Sequence, residues 1–200
     1  MSDTLEERHA RRMARKKTVV DAAIAKATDS HGLLLVLTGN GKGKSSSAFG
    51  MAVRALGHGM RVAVFQFIKG KMGTGEQSYL ARDPNLLWDV CGEGFTWETQ
   101  NRLRDIEKAE AGWARASQAL RDPAYGLVVL DEMTYLFKYG YLDLDLVLAA
   151  MAARPPMQHV VITGRAAPQA LIDAADTVSE IADVKHAFRA GIKAQPGIDL

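Results

Sequence analysis

The feature that most constrains this fold is an apolar run that leads into a glycine-rich segment and then into a helical pattern. The apolar run covers residues 33–37, and the segment after it reads Thr-Gly-Asn-Gly-Lys-Gly-Lys-Ser-Ser over residues 38–46. A strand, a glycine-rich turn and a helix N-terminus in this order direct backbone N–H groups and the positive end of a helix dipole towards phosphate oxygens. The sequence therefore predicts a phosphate-binding loop, rather than a glycine-rich turn that binds nothing.

The loop departs from the usual G-x-x-x-x-G-K-[ST] pattern at one position. Thr38 stands where the first glycine is expected, so Gly39 begins a loop that is one residue shorter. This argues against the usual contacts of such a loop with the β- and γ-phosphates, and against ordinary hydrolysis of the γ-phosphate. Lys44 is expected to reach phosphate oxygens and Ser45 to bind Mg²⁺, with Lys42 as a second cation. The predicted nucleotide-binding residues are Gly39, Asn40, Gly41, Lys42, Gly43, Lys44, Ser45 and Ser46.

Apolar runs alternate with helical patterns through the rest of the chain. Strands are predicted over 33–37, 62–68, 127–130 and 160–163, with weaker strand patterns over 86–90 and 177–181, and helices over 44–56, 98–120, 144–153 and 168–174. Strands that are apolar on both faces and alternate with helices are typical of a parallel sheet covered on both sides. We therefore expect one three-layer α/β domain of the P-loop NTPase, RecA-like class over residues 29–200, with a mostly parallel sheet.

A separate helical segment is predicted over residues 1–28, with apolar residues only in its second half and with Gly32 suited to end it. The rest of the chain is close to neutral, which argues against a large nucleic-acid surface. The basic residues of this segment are interpreted as a solvated helix face or a flap near phosphates, with a nucleic-acid or membrane arm as the alternative. They are Arg8, Arg11, Arg12, Arg15, Lys16 and Lys17.

Composition points to a cytoplasmic protein without a membrane or nucleic-acid partner. The single cysteine, Cys91, cannot form an internal disulfide, which fits a reducing compartment, and we interpret it as a small buried residue. No apolar run approaches the length of a membrane span, and the first residues are too acidic for a secretory signal.

Three charged residues follow predicted strands. Asp131 and Glu132 come after the strand over 127–130, at the edge where parallel sheets bind ligands. One carboxylate is expected to approach Mg²⁺ and the other to orient the metal or a ligand, unless they only cap the next helix. Arg165 follows the strand over 160–163 and is expected to face phosphates, with a surface ion pair as the alternative. The predicted metal ligands are therefore Ser45, Asp131 and Glu132.

Two aromatic residues, Phe95 and Trp97, lie one residue apart in a glycine-containing segment. In an extended chain both side chains would project to the same side. Such a pair suggests a contact with a flat, apolar ligand. The alternative is a hydrophobic staple that packs against the following helix.

Taken together, these stretches resemble the P-loop type of ATP:corrinoid adenosyltransferase. The matching segments are 38–45, 66–70, 94–101, 129–135, 162–165, 176–180 and 184–199, and Ser45 stands where relatives often have threonine. The resemblance implies transfer of the 5′-deoxyadenosyl group of ATP to the cobalt(I) of a corrinoid, with release of triphosphate, in adenosylcobalamin synthesis or salvage.

The resemblance also implies roles for individual residues and partners. ATP would lie reversed in the loop, and Lys44 and Arg165 would stabilise the departing triphosphate. Phe95 and Trp97 would displace the lower axial ligand of the corrinoid before cobalt is reduced. The implied cofactor is Mg²⁺ or Mn²⁺, and the implied partners are ATP, a corrinoid, a reduced flavoprotein and a second copy in a homodimer. The residues alone leave open an ATP-driven nucleic-acid motor and a small-molecule kinase.

Overall fold

The computed structural model describes residues 4–68, 73–92 and 101–199, so Phe95 and Trp97 lie outside the described residues. The chain divides into two compact units, Met1–His31 and Gly32–Leu200. Among the described helices, none combines the length and the apolarity that crossing a bilayer requires.

The first unit contains helix α1 (Leu5–Lys26), which begins at a capping box formed by Thr4 and Glu7. None of its residues is buried within the described structure. The predicted helix is confirmed, but the prediction that Gly32 ends it is wrong, because α1 ends at Lys26. Gly32 belongs to the second unit, where its carbonyl oxygen accepts a hydrogen bond from Nη2 of Arg154 at 2.6 Å.

In the second unit, strands alternate with helices along the chain. The strands are β1 (Leu34–Thr38), β2 (Arg61–Gln66), β3 (Leu86–Val90), β4 (Tyr125–Asp131), β5 (His159–Thr163) and β6 (Thr177–Glu180). The helices are α2 (Lys44–Gly57), α3 (Gly75–Leu80), α4 (Arg102–Arg121), α5 (Thr134–Lys138), α6 (Leu144–Ala152) and α7 (Gln169–Ala174), and a 3₁₀ turn follows at Ala187–Ala190. The predicted strands and longer helices are confirmed, except that residues 98–100 of the helix predicted over 98–120 lie outside the described residues. The short helices α3 and α5 are additional to the prediction.

The six strands form one sheet in the order β3-β2-β4-β5-β1-β6, and every neighbouring pair is parallel. Strand β1 lies between β5 and β6, while the chain continues through α2 to β2 on the far side of β4. Parallel strands place their carboxyl ends at one edge of the sheet, where open α/β folds bind ligands. The loops that follow β1, β4 and β5 therefore meet at the same edge.

Apolar packing covers both faces of the inner strands, whereas every residue of the edge strand β6 is exposed. On β2, Val62 and Val64 pack in one cluster with Phe49 of α2. The residue between them, Ala63, packs in a second cluster with Trp113 of α4. Because both faces of β2 are buried here, residues 62–65 are all apolar and show no alternation with polar residues. The expected three-layer α/β domain with a parallel sheet is confirmed.

Candidate active site

A pocket of about 500 Å³ lies beside the loop that joins β1 to α2. It is lined by Gly41 and the five residues that follow it, by Glu132 from the end of β4, and by Arg165 from the loop after β5. The structure thus brings together the loop, one of the two candidate acids and the candidate arginine. Gly39, Asn40 and Asp131 do not line this pocket.

The loop is held in place by the segment that follows β6. Gly41 donates its N–H to the carbonyl oxygen of Ile181 at 2.7 Å, and Ile181 donates its own N–H to the oxygen of Thr38 at 2.9 Å. Gly39 has φ +96, and a Cβ there would lie 2.5 Å from the Ile181 oxygen. A side chain at this position would therefore be strained and would collide with backbone. Gly39 therefore packs against the backbone of Ile181, and it does not line the pocket.

Lys44 begins α2 and is the most buried cation of the pocket, with 7% of its surface exposed. Its Nζ donates a hydrogen bond to the carbonyl oxygen of Gly41 at 2.6 Å. Burial lowers the pKa of the Lys44 ammonium, the charge of Glu132 opposes that change, and the charge of Arg165 adds to it. A cation held in such a partly desolvated position interacts strongly with an anion that enters beside it.

Asp131 and Glu132 are adjacent in sequence but occupy different surroundings. Asp131 is fully buried, and its two carboxylate oxygens accept hydrogen bonds from Oγ1 of Thr163 at 2.7 Å and from Nε2 of Gln66 at 3.0 Å. Glu132 lines the pocket, and its backbone has φ +59. A left-handed conformation costs a non-glycine residue roughly 1–2 kcal/mol, and such strain is concentrated at functional sites.

Asp131 belongs to a series of hydrogen bonds that crosses four adjacent strands, β3, β2, β4 and β5. Nε1 of Trp88 on β3 donates to Oε1 of Gln66 on β2 at 2.9 Å, and Gln66 donates to Asp131 on β4. Thr163 on β5 donates to Asp131 and accepts the N–H of Glu132 at 2.9 Å. Through Thr163 this series fixes the backbone from which Glu132 reaches the pocket.

Arg165 is exposed and lines the pocket. Its carbonyl oxygen accepts a hydrogen bond from Oγ1 of Thr134 at 2.7 Å, which anchors the loop after β5. Within the described ranges its guanidinium has no carboxylate partner at ion-pair distance. The alternative of a surface ion pair therefore finds no support there.

Oxygen ligands suited to Mg²⁺ are present on two sides of the pocket. Ser45 supplies a hydroxyl and Glu132 a carboxylate, and both line it. Mg²⁺ prefers such oxygen ligands and commonly takes one or two from the protein, with the rest from phosphates and water. These residues therefore fit the metal, whereas both oxygens of Asp131 are already engaged in hydrogen bonds.

Sequence reasoning missed two further groups of lining residues. Thr74 and Glu76 come from the start of α3, whose N-cap is Thr74. The others, His186 and residues 197–199, come from the segment that follows β6. That second segment was visible as a matching motif over 184–199, but the motif alone assigned no role to its residues.

Two family models together match almost the whole chain. Residues 30–200 match the family model of the ATP:corrinoid adenosyltransferases BtuR/CobO/CobP, and residues 1–24 match that of the cob(I)alamin adenosyltransferase N terminal. The chain belongs to the ATP:corrinoid adenosyltransferase family. As a member of this family it is a transferase that uses ATP to adenosylate a corrinoid, in cobalamin synthesis or salvage.

Individual relatives of the family extend over nearly the whole chain. The corrinoid adenosyltransferase of Pseudomonas aeruginosa is 62% identical over 98% of this chain and 97% of its own length. Corrinoid adenosyltransferase CobA of Salmonella typhimurium is 49% identical over 97% and 98%. Among solved structures, the flagellar accessory protein FlaH from Methanocaldococcus jannaschii matches 76% of this chain and 71% of its own, with a TM-score of 0.50 and 12% identity. That likeness concerns the fold alone.

Proposed function

We propose that the pocket beside the phosphate loop binds the triphosphate of ATP while cobalt(I) of the corrinoid attacks C5′. The cobalt–carbon bond forms with the electron pair of cobalt(I), and the pair of the breaking C5′–O bond leaves with triphosphate. The observation that carries the proposal is the convergence of Lys42, Lys44 and Arg165 on one pocket with the loop. These cations face a leaving group whose negative charge grows in the transition state, and cobalt itself supplies the nucleophile.

The metal is proposed to be held by Ser45 and Glu132. Mg²⁺, or Mn²⁺ in its place, would offset phosphate charge when bound there. Asp131 is proposed to act through Thr163 by orienting the backbone of Glu132. In Glu132→Gln the concentration of Mg²⁺ needed for half-maximal turnover should rise strongly, whereas in Asp131→Asn, which disturbs Glu132 only through Thr163, it should rise less. If the metal dependence changes in Asp131→Asn and not in Glu132→Gln, the two roles are reversed.

The reaction is tested by its products. The chain would be incubated with MgATP and with hydroxocobalamin that has been reduced chemically to cobalt(I). Equimolar triphosphate and a photolabile alkyl–cobalt product are expected, and ADP would instead overturn the proposal. Repeating the assay with cobinamide and with an a,c-diamide precursor would identify the preferred corrinoid.

Reduction of the corrinoid is proposed to depend on Phe95 and Trp97, which displace its lower axial ligand. Four-coordinate cobalt(II) accepts an electron more readily, because that electron no longer opposes a ligand lone pair. A reduced flavoprotein is the proposed electron donor. The one cysteine of the chain supports an external donor, since burial raises the pKa of the Cys91 thiol to about 12 and keeps it protonated.

Residues 1–28 are proposed to cover the active site of this or a partner subunit when both ligands are bound. Support comes from α1, which has no buried residue and leaves Val19, Val20 and Ile24 exposed. Hydrogen exchange over residues 4–26 should slow on addition of MgATP and cobalamin together. Equal exchange in the free and the liganded chain would count against a cover.

A homodimer is proposed on the exposed apolar side chains of the segment after β6. Val184 is 92% exposed, Phe188 75% and Ile198 78%, and an exposed apolar patch larger than a few hundred Å² commonly marks an interface. Sedimentation at several concentrations should give the mass of two chains, and Phe188→Ser should lower it. A monomer at every concentration would refute the proposal.

The cytoplasm is the proposed location.

A further inference from the structure

One of the two lysines of the phosphate loop forms an ion pair with an acidic residue from the segment after β6. Nζ of Lys42 forms an ion pair with Oδ1 of Asp199, and both residues line the same pocket. The side chain of Lys42 is 51% exposed and that of Asp199 is 21% exposed. Asp199 therefore holds the more exposed of the two ammonium groups of the loop, since Lys44 is nearly buried.

The carboxylate of Asp199 is held in position by a tight turn. The N–H groups of Ile198 and Asp199 both donate to the carbonyl oxygen of Gln195, at 3.2 and 2.9 Å. Oδ2 of Asp199 accepts the N–H of Gln195 at 3.0 Å. The central residues are Pro196 and Gly197, with φ +80 at the glycine, as a type II turn requires. The turn leaves Oδ1 directed at Lys42.

Asp199 is ionised at neutral pH. The hydrogen bond from Lys42, and then the one from the Gln195 N–H, hold the pKa of its carboxyl below the ordinary value. A fixed carboxylate and a phosphate of a bound ligand would compete for the same ammonium, because each attracts it and they repel one another.

We propose that Asp199 competes internally with triphosphate for Lys42, and thereby weakens the binding of the triphosphate product and speeds its release. The inference rests on the proposed function of the pocket. When triphosphate enters, Lys42 exchanges the carboxylate for a phosphate oxygen, and when triphosphate leaves, Asp199 takes Lys42 back. The product needs such a competitor more than ATP does, because the oxygen released from C5′ gives free triphosphate an additional ionisable group.

The proposal is tested by titrating the full chain with inorganic triphosphate in a calorimeter. Asp199→Asn keeps the size of the side chain and removes its charge, so triphosphate should bind about two- to fivefold more tightly, the range for a part-exposed ion pair. Lys42→Ala should bind triphosphate more weakly. In the double variant Asp199→Asn should have no further effect, because the competed group is gone. In turnover assays the inhibition constant of triphosphate should fall by the same factor in Asp199→Asn.

Two control variants separate this role from a structural one. Asp183→Asn breaks the ion pair between Asp183 and Arg189, which lies in the same segment and does not line the pocket, and it should leave triphosphate affinity unchanged. Asp199→Glu keeps the charge and should bind triphosphate more like the wild type than Asp199→Asn does.

Four results would overturn the proposal. Unchanged or weaker binding in Asp199→Asn would do so, as would tighter binding that persists in full without Lys42. An equal gain in Asp183→Asn would point to a general effect of charge. A wild-type chain that binds no triphosphate would overturn the proposed function as well, whereas normal wild-type binding with an unaltered Asp199→Asn would overturn this inference alone.

Discussion

The substitution Asp131→Asn tests the series of hydrogen bonds that links Trp88, Gln66, Asp131 and Thr163. In this series the donor at one end, Trp88, determines which group donates and which accepts in each of the other bonds. The indole of Trp88 can only donate, so Gln66 turns its amide oxygen to Trp88 and its NH₂ to residue 131. In Asp131→Asn the new amide oxygen must accept from Gln66, and its NH₂ then faces the hydroxyl of Thr163. The hydroxyl of Thr163 donates its hydrogen to Asp131 and accepts the N–H of Glu132. When an NH₂ group faces this hydroxyl instead, the hydroxyl hydrogen has lost the acceptor that Asp131 provided.

The expected cost follows from that single unsatisfied donor. A buried donor left without a partner costs about 1–3 kcal/mol. The change from carboxylate to amide also weakens two charge-assisted bonds, but it removes the cost of burying a charge, and these two effects oppose one another. We therefore expect the free energy of unfolding of Asp131→Asn to fall by about 1–3 kcal/mol.

A sharper test introduces Asp131→Asn into a variant that already carries Trp88→Phe. Without the indole donor the amide of Gln66 can turn over, accept from the new NH₂ and let the new oxygen accept from Thr163. Asp131→Asn should then cost at least about 1 kcal/mol less than in the wild type. Urea unfolding of the four proteins measures this difference, and the contact of Trp88 with Phe49, whose ring centroids lie 4.9 Å apart, cancels in the cycle. Equal costs in the two backgrounds would refute the fixed donor order.

Four further predictions concern the catalytic cation, the core, the buried thiol and the aromatic pair. Lys44→Ala should lower turnover about 10²–10³-fold, and near-normal steady-state rates would contradict its assignment. Gly112→Ala would place a Cβ 2.7 Å from the Cβ of Cys91 and should lower the free energy of unfolding in urea by about 1–3 kcal/mol; a loss that Cys91→Gly does not reduce would place the strain elsewhere. Because burial raises the pKa of Cys91 from 9.0 to about 12, the unfolded chain loses this proton first, and stability should fall above about pH 9 by up to about 1.4 kcal/mol per pH unit more steeply than in Cys91→Ala; parallel profiles would contradict this. Replacing Phe95 and Trp97 with Ala should stop turnover with a flavoprotein reductant and spare much of it when cobalt(I) is made chemically, whereas equal loss in both assays with a lowered melting temperature would leave the pair as packing.

The strands and the phosphate loop could be predicted because their signals are local. An apolar run, a glycine-rich turn and a helix start lie within about fifteen consecutive residues. The order of strands in the sheet is not local, so nothing in the loop indicated that Ile181 would hold it. Asp131 and Glu132 could not be told apart, because which carboxylate reaches the pocket depends on partners from neighbouring strands. The role of Asp199 required the fold for the same reason, since its lysine partner lies near the other end of the domain.

The bond between Gly41 and Ile181 also bears on how the protein is made. A ribosome delivers the phosphate loop long before it delivers β6 and the residue that clamps the loop from behind. During synthesis the loop sequence is therefore present before the residue that accepts the N–H of Gly41. The contacts that support the loop are therefore among the last of the domain to form, and a chain that stops before Ile181 would contain the whole loop motif without its hydrogen bonds to that residue.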